Sequence, residues 1–223
     1  MKLTIVQPQF APNLYDLAAM RKADRVIWND LEQWSRKGRT HRAVIKGEQG
    51  KQWVNIPIKT EDKKKAIGEV RIEHGEDWIE SFWNAIYHSY SEATWFDFFV
   101  DELQHDIDQA AEFEKLLGFN IYFFERIMTY LELNIEYELA SQVSGFDPNP
   151  DIFLQKTGAG ILYQEYDAKN YQWLSEQAKP ALKEHPEYTQ LGDVFLPECS
   201  IIDLLMNCGK ESFKVIDRFW KEK

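Results

Sequence analysis

The chain has 223 residues, 37 acidic against 26 basic side chains and a formal net charge of −11. Hydrophobic residues make up 44% and aromatic residues 14%, enough for a sizeable core, which excludes disordered and fibrous classes. The acidic balance argues against a duplex nucleic acid or an anionic membrane as partner, because both select for clustered Lys and Arg.

No apolar run approaches the ~20 residues that a transmembrane helix needs. The opening Met1-Lys2-Leu3-Thr4-Ile5-Val6 lacks the long apolar stretch of a signal peptide, so the cytoplasm is the expected compartment. Cys199 and Cys208 have no second pair with them and read as reduced thiols.

In chain order, Lys2 to Phe10 reads as a buried strand running into a turn at Pro8 and Pro12. Asn13 can cap a helix carrying Leu14, Leu17, Ala18 and Arg21. A second strand over Ala23 to Trp28 completes a parallel βαβ unit. Its end carries Asn29, Asp30, Glu32 and Gln33, and open α/β sheets bind ligands at the carboxyl ends of their strands. Arg36 to Arg42 is a basic stretch, and Gln52 to Ile58 reads as a further strand. Asp77-Trp78-Ile79-Glu80 has the form of a capping box opening a helix with Trp78, Phe82, Ile86 and Tyr90 on one face. A second helix is predicted from Thr94 through Leu117 with Gly118 at its C′ position, and a third from Asn120 to Leu133.

Further on, Ile135 to Val143 reads as a strand, Asp151 to Lys156 as helix, Gly158-Ala159-Gly160 as a stop and Ile161 to Tyr163 as a strand. Tyr171 to Gln177 reads as a polar helix. Ser200-Ile201-Ile202-Asp203 fits a second capping box before a core helix closed by Gly209. The predicted fold is a single α/β domain over residues 1–223. It has a Rossmann-like N-terminal βαβ unit, a mixed sheet, a helical middle section at about 77–133 and an α/β C-terminal part.

These residues, in order, resemble the WbqC-like family. The resemblance rests on Gln7-Pro8-Gln9-Phe10-Ala11-Pro12, Ala23-Asp24, Asn29-Asp30, Gln33-Trp34, Arg42, Ile56-Pro57, Trp78, Tyr90, Trp95-Phe96 and Gly158-Ala159. Its strongest piece is Tyr188-Thr189-Gln190, then Phe195-Leu196-Pro197 and Ser200 through Gly209. The resemblance implies a bacterial protein associated with surface-polysaccharide (O-antigen) clusters. On that basis the expected function is a transferase acting on a nucleotide- or lipid-linked sugar, including acyl or aminoacyl transfer to an amino sugar. The alternative is a non-catalytic sugar-sensing or scaffold protein of the same pathway. Where family members carry Gly and Tyr this chain has Tyr15 and Asp16, and His41 and Ala43 replace Asn on each side of Arg42.

The first unit is also similar to that of HIGH-type nucleotidyltransferases, whose phosphate-binding histidines would fall near Asn13 and Asp16. Neither residue is an imidazole, and an aspartate repels phosphate unless a metal intervenes.

The candidate catalytic residues are Asp30, as general base or hydroxyl acceptor, and His41, which titrates near neutral pH when unperturbed. Candidate substrate contacts are Gln7, Gln33, Arg42 as a clamp for phosphate or carboxylate, Tyr188, Gln190 and Asp203. Asp30 can equally cap a turn, His41 and Arg42 can be solvated, and Ser200 and Asp203 can serve the capping box alone. No histidine or cysteine spacing suggests a metal site, and no cofactor is assigned. The expected ligand is a small sugar or nucleotide-sugar, with homo-oligomerisation left open.

Overall fold

The computed structural model describes residues 1–75, 77–164 and 175–218. Strand β1 (Lys2–Val6) lies at the centre of a five-stranded sheet of order β5-β2-β1-β6-β7. Its partners are β2 (Arg25–Trp28), β5 (Glu138–Leu139), β6 (Ile161–Gln164) and β7 (Lys179–Pro180). All four pairings are parallel, with Leu3 opposite Arg25 and Leu162.

The expected mixed sheet is therefore replaced by a parallel one and a separate antiparallel hairpin. That hairpin consists of β3 (Arg42–Gly47) and β4 (Gly50–Asn55), with Arg42 opposite Asn55. The hairpin accounts for the strand predicted at Gln52, which starts two residues earlier and ends before Ile56.

Side-chain alternation along the strands builds two cores. Leu3, Ile5 and Ile27 pack with Phe153, Leu154 and Leu162 on one face. Val6, Val26 and Trp28 join Leu14, Leu17 and the helical section on the other. Burial on both faces is what a parallel sheet requires. Helix α1 (Leu14–Lys22) starts where expected, because the Asn13 side chain accepts from the Tyr15 and Asp16 amides at 3.0 and 3.1 Å.

Between β2 and β5 the chain inserts the hairpin and three helices. Helix α2 (Trp78–Tyr90) buries Trp78, Phe82, Ile86 and Tyr90, as the spacing predicts. The second predicted helix breaks in two: α3 (Phe96–Asp108) ends in a 3-10 turn, and α4 (Leu116–Tyr130) begins four residues before Asn120. The cause is tertiary. Ile72 donates to Glu114 O at 3.0 Å and Leu116 to Val70 O at 2.9 Å, and Phe113 and Lys115 on either side of Glu114 are extended. Gly118 consequently lies inside α4, and a Cβ there would meet the Phe113 ring at 3.1 Å. Asp106 on α3 joins the two helices by accepting from Tyr122, Tyr130 and Arg126 on α4.

Helix α5 (Pro150–Thr157) is capped by Asn149 and stopped by Gly158 at φ +65°. Of the expected strand at 135–143 only Glu138 and Leu139 pair. Residues 171–174 of the expected polar helix lie outside the described residues, and 175–177 are not helical. The last helices among the described residues are α6 (Ile201–Cys208) and α7 (Ser212–Ile216). Among the described residues no helix is long and apolar enough to cross a membrane.

Candidate functional site

At the carboxyl end of β1 the Gln7 side chain donates to Glu32 Oε1 at 3.0 Å, with both residues buried. Gln7 Oε1 and Asn29 Oδ1 have no hydrogen-bond partner among the described residues, although both atoms are shielded from solvent. A Cβ on Gly38 would come within 3.1 Å of Gln7 Oε1, so glycine lets the 36–42 loop close over Gln7.

Asp30 is buried at the end of β2. Its Oδ1 accepts from the Ser141 amide at 2.9 Å, and its carbonyl accepts from Gly68 at 2.8 Å. The carboxylate thus ties the end of β2 to the residues after β5, and the backbone carbonyl ties it to the turn at 67–69. Gln33 is exposed, and its backbone bridges to Ala66. Between β1 and α1, the crevice lined by Gln7, Gln9, Pro12, Asp16 and Trp28 encloses about 180 Å³ in all and has no room for a water molecule.

The HIGH-like positions are occupied by scaffold contacts. Asn13 caps α1, while buried Asp16 meets Arg39 at 3.4 Å. Arg42 opens β3 with its guanidinium 3.9 Å from the centre of the Trp53 ring. Its Nε donates to Gly38 O at 2.9 Å and its Nη2 to Lys37 O at 2.7 Å. Burial, then the charges of Arg39 and Arg36, weaken its hold on the proton. No carboxylate among the described residues offsets that repulsion at Arg42.

His41 is 8% exposed and packs against Trp34 at 4.9 Å between ring centres. Burial, reinforced by Arg42, pushes its imidazole down to about 4, so it is neutral at pH 7. Its Nδ1 has no partner among the described residues. Between pH 4 and the ordinary 6.5 the unfolded chain therefore binds a proton that the folded chain refuses. Stability is full above 6.5 and falls as the pH drops through that window, by up to about 3 kcal/mol at about 1.4 kcal/mol per unit. His41→Asn should flatten this acid limb in urea titrations run from pH 7 to pH 4. An unchanged slope would show that His41 is not the group responsible.

The C-terminal candidates form a second cluster. Buried Asp203 on α6 accepts from Tyr90 Oη at 2.8 Å, Tyr188 Oη at 2.7 Å and Gln190 Nε2 at 2.7 Å. Burial raises its carboxyl above the ordinary range against the pull of these three donors, and both phenols are raised as well. Gln190 also exchanges hydrogen bonds with the backbone of Leu196 at 3.1 and 2.8 Å.

The capping-box reading of Ser200 and Asp203 is corrected. The Ser200 hydroxyl makes no cap bond, and the Asp203 carboxylate points to the Tyr188 loop instead. A local i, i+3 pattern cannot reveal donors 13 and 113 residues away.

The candidates thus separate into two groups. Gln7, Asp30 and Gln33 lie at and beyond the ends of β1 and β2, with His41 and Arg42 at the start of β3 after the loop that covers Gln7, whereas Tyr188, Gln190 and Asp203 gather near Lys46, roughly 13 Å along that strand. Asn120 and Trp53 were not singled out from the sequence. Asn120 Nδ2 staples Pro8 O at 3.3 Å to Thr40 O at 2.8 Å, and its only signal was an amide on the otherwise apolar face of α4. Among the described residues no group of three or more His, Cys, Asp or Glu is placed to hold a metal. Cys199 and Cys208 are free, with burial pushing their thiols up to about 12 and about 11.

The chain is 28% identical over 229 residues to the uncharacterized protein Rv1507c of Mycobacterium tuberculosis (strain ATCC 25618 / H37Rv), covering 95% of each chain. No solved structure matches it. The profile of the WbqC-like protein family covers residues 7–215, spanning the β1 turn, the hairpin and the Asp203 cluster together: the chain belongs to the WbqC-like family.

Proposed function

We propose that the chain is a group-transfer enzyme acting on an activated, nucleotide- or lipid-linked sugar in bacterial surface-polysaccharide synthesis. In this reading residues 1–223 form one Rossmann-like domain working in the cytoplasm. The observation that carries the proposal is the buried Gln7–Glu32 pair at the end of β1, lying under the loop whose Lys37 and Gly38 carbonyls hold the Arg42 guanidinium. There the strand order turns back from β2 and β5 to β6 and β7, the kind of position at which α/β sheets take ligands.

Arg42 clamps the phosphate, and Asp30 or the neutral His41 accepts a proton from the acceptor group. Tyr188, Gln190 and Asp203 hold the neighbouring loop in place for the ligand. In a thermal-shift screen of nucleotide-sugars, acyl-coenzyme A and aminoacyl donors, a ligand at about a hundred times its Kd should add roughly 2.7 kcal/mol. That is a rise of several degrees in a domain of this length. Arg42→Ala should remove the shift, and Asp30→Asn should abolish turnover while preserving the shift. No shift with any compound would count against the enzyme.

The closed crevice beside Asp16 supports a second reading, a sugar-sensing or scaffold subunit. A stoichiometric partner in gel filtration of the native complex, without turnover, would favour it.

A further inference from the structure

Residues 33–47 carry five basic side chains and no acidic one, in a chain whose net charge is −11. Arg39 is matched by Asp16 and Lys46 donates to Val194 O at 2.6 Å. Arg36 and Lys37 are exposed and have no ion pair among the described residues.

Arg42 differs from an ordinary surface arginine. Two carbonyls and an indole fix its plane, so its free N–H groups are held in one direction. A pre-oriented guanidinium fork without a carboxylate is suited to a tetrahedral oxyanion.

Beside it runs an open groove between β4 and α2. Its volume is about 460 Å³, and Gln52, Trp53, Asn55, Asp77, Trp78 and Ser81 line it. That volume lies within the ~300–1,000 Å³ of small-molecule sites. Asn55 is directly opposite Arg42 in the hairpin register, which sets their Cβ atoms about 5 Å apart. Trp53 carries the Arg42 guanidinium and also lines the groove. The charged end and the groove are therefore continuous. The groove offers amides, a carboxylate and indoles, the chemistry that hydrogen-bonds hydroxyls and covers a ring face.

We propose that Arg36, Lys37 and Arg42 form an oxyanion-binding face holding the phosphate of a phosphoester whose hydroxyl-bearing body lies in the groove between β4 and α2. The oxyanion half stands on this loop alone, whereas taking the body to be a sugar rests on the transfer reading above. The bound ligand would lie outside the closed crevice of β1 and α1.

Calorimetry on the full chain at low salt tests this with three probes: inorganic pyrophosphate, UDP-N-acetylglucosamine, and phosphatidylcholine vesicles carrying undecaprenyl diphosphate-N-acetylglucosamine. Pyrophosphate should bind, weaken with added salt and lose about ten- to a hundredfold in affinity in Arg42→Gln. The exposed pair Arg36→Gln/Lys37→Gln should weaken it several-fold with unchanged thermal unfolding, so the test survives even if Arg42→Gln misfolds. Whichever phosphoester is the source, soluble or membrane-held, should bind more tightly than pyrophosphate, and Asn55→Ala should remove that advantage. No pyrophosphate binding, or equal binding in every variant, overturns the proposal. Pyrophosphate binding with no gain from either phosphoester overturns the groove assignment and the sugar body, and leaves the oxyanion face standing.

Discussion

Asp203→Ala is expected to lower the unfolding free energy by about 3 kcal/mol or more, read as a fall in the urea midpoint at unchanged m-value. The alanine removes the common acceptor of Tyr90, Tyr188 and Gln190, and each buried donor left without a partner costs about 1–3 kcal/mol. Hydroxyl rotation recovers part of that loss, which keeps the total below the sum. Asp203→Asn retains the shape and one acceptor oxygen. It also removes a charge that burial disfavours, so its loss should be about half as large. If alanine and asparagine behave alike and both match the parent, the cluster contributes nothing to stability. The same variants separate scaffold from contact: a structural role lowers stability and ligand affinity together, whereas a ligand contact lowers affinity in the stable asparagine variant as well.

Gly209→Ala should destabilise by more than about 3 kcal/mol, because two obstacles coincide. The residue sits at φ +47° and ψ −127°, a region that side-chain-bearing residues avoid at a cost of about 1–3 kcal/mol. An added Cβ would also lie 2.0 Å from the Trp95 ring, whose backbone amide is fixed to Met206 O at 3.1 Å. At roughly 2–4 °C per kcal/mol for this chain length, the thermal midpoint should drop by about 10 °C. Trp95→Ala in the same chain relieves the clash and leaves only the backbone strain, so the double variant should lose less than the two single losses combined. A parental midpoint in Gly209→Ala would refute the argument.

Much of the local architecture was legible because its causes are local. Asn13 before an apolar period caps α1, the Trp78-Phe82-Ile86-Tyr90 spacing marks the buried face of α2, and Leu3-Ile5 against Ile27 marks two neighbouring strands. What was misread has distant causes. The break at Phe113 comes from pairing with residues 70–72, and nothing in the helical period of 94–117 encodes that partner. The Ser200 signature looks like a cap and serves as a junction, since Ser200 N donates to Val44 O at 2.7 Å and Ile201 N to Pro12 O at 2.8 Å. The candidate residues were read from the sequence as polar groups at strand ends and in loops. Their division into a β1 cluster and an Asp203 cluster depends on where β3 runs, and the basic sequence ahead of Arg42 concealed that strand. His41 reads as a titrating group by residue type, and only its burial beside Trp34 shows it to be neutral.

Among the strands of the sheet the central one is the first to be synthesised and among the last to be completed. Lys2 to Thr4 pair with Ile161 to Tyr163, so one edge of β1 stays open until roughly 160 further residues have been added. At about 5–20 residues per second that interval is on the order of ten seconds. During it Leu3 and Ile5 lack the Phe153–Leu162 layer that covers them in the finished protein. Helices α2 to α4 rest on local contacts and can form within that time, whereas the sheet must wait for its far strand. The nascent chain therefore passes through a stage with a sticky apolar edge at its own beginning, the stage at which a holding chaperone has most to protect.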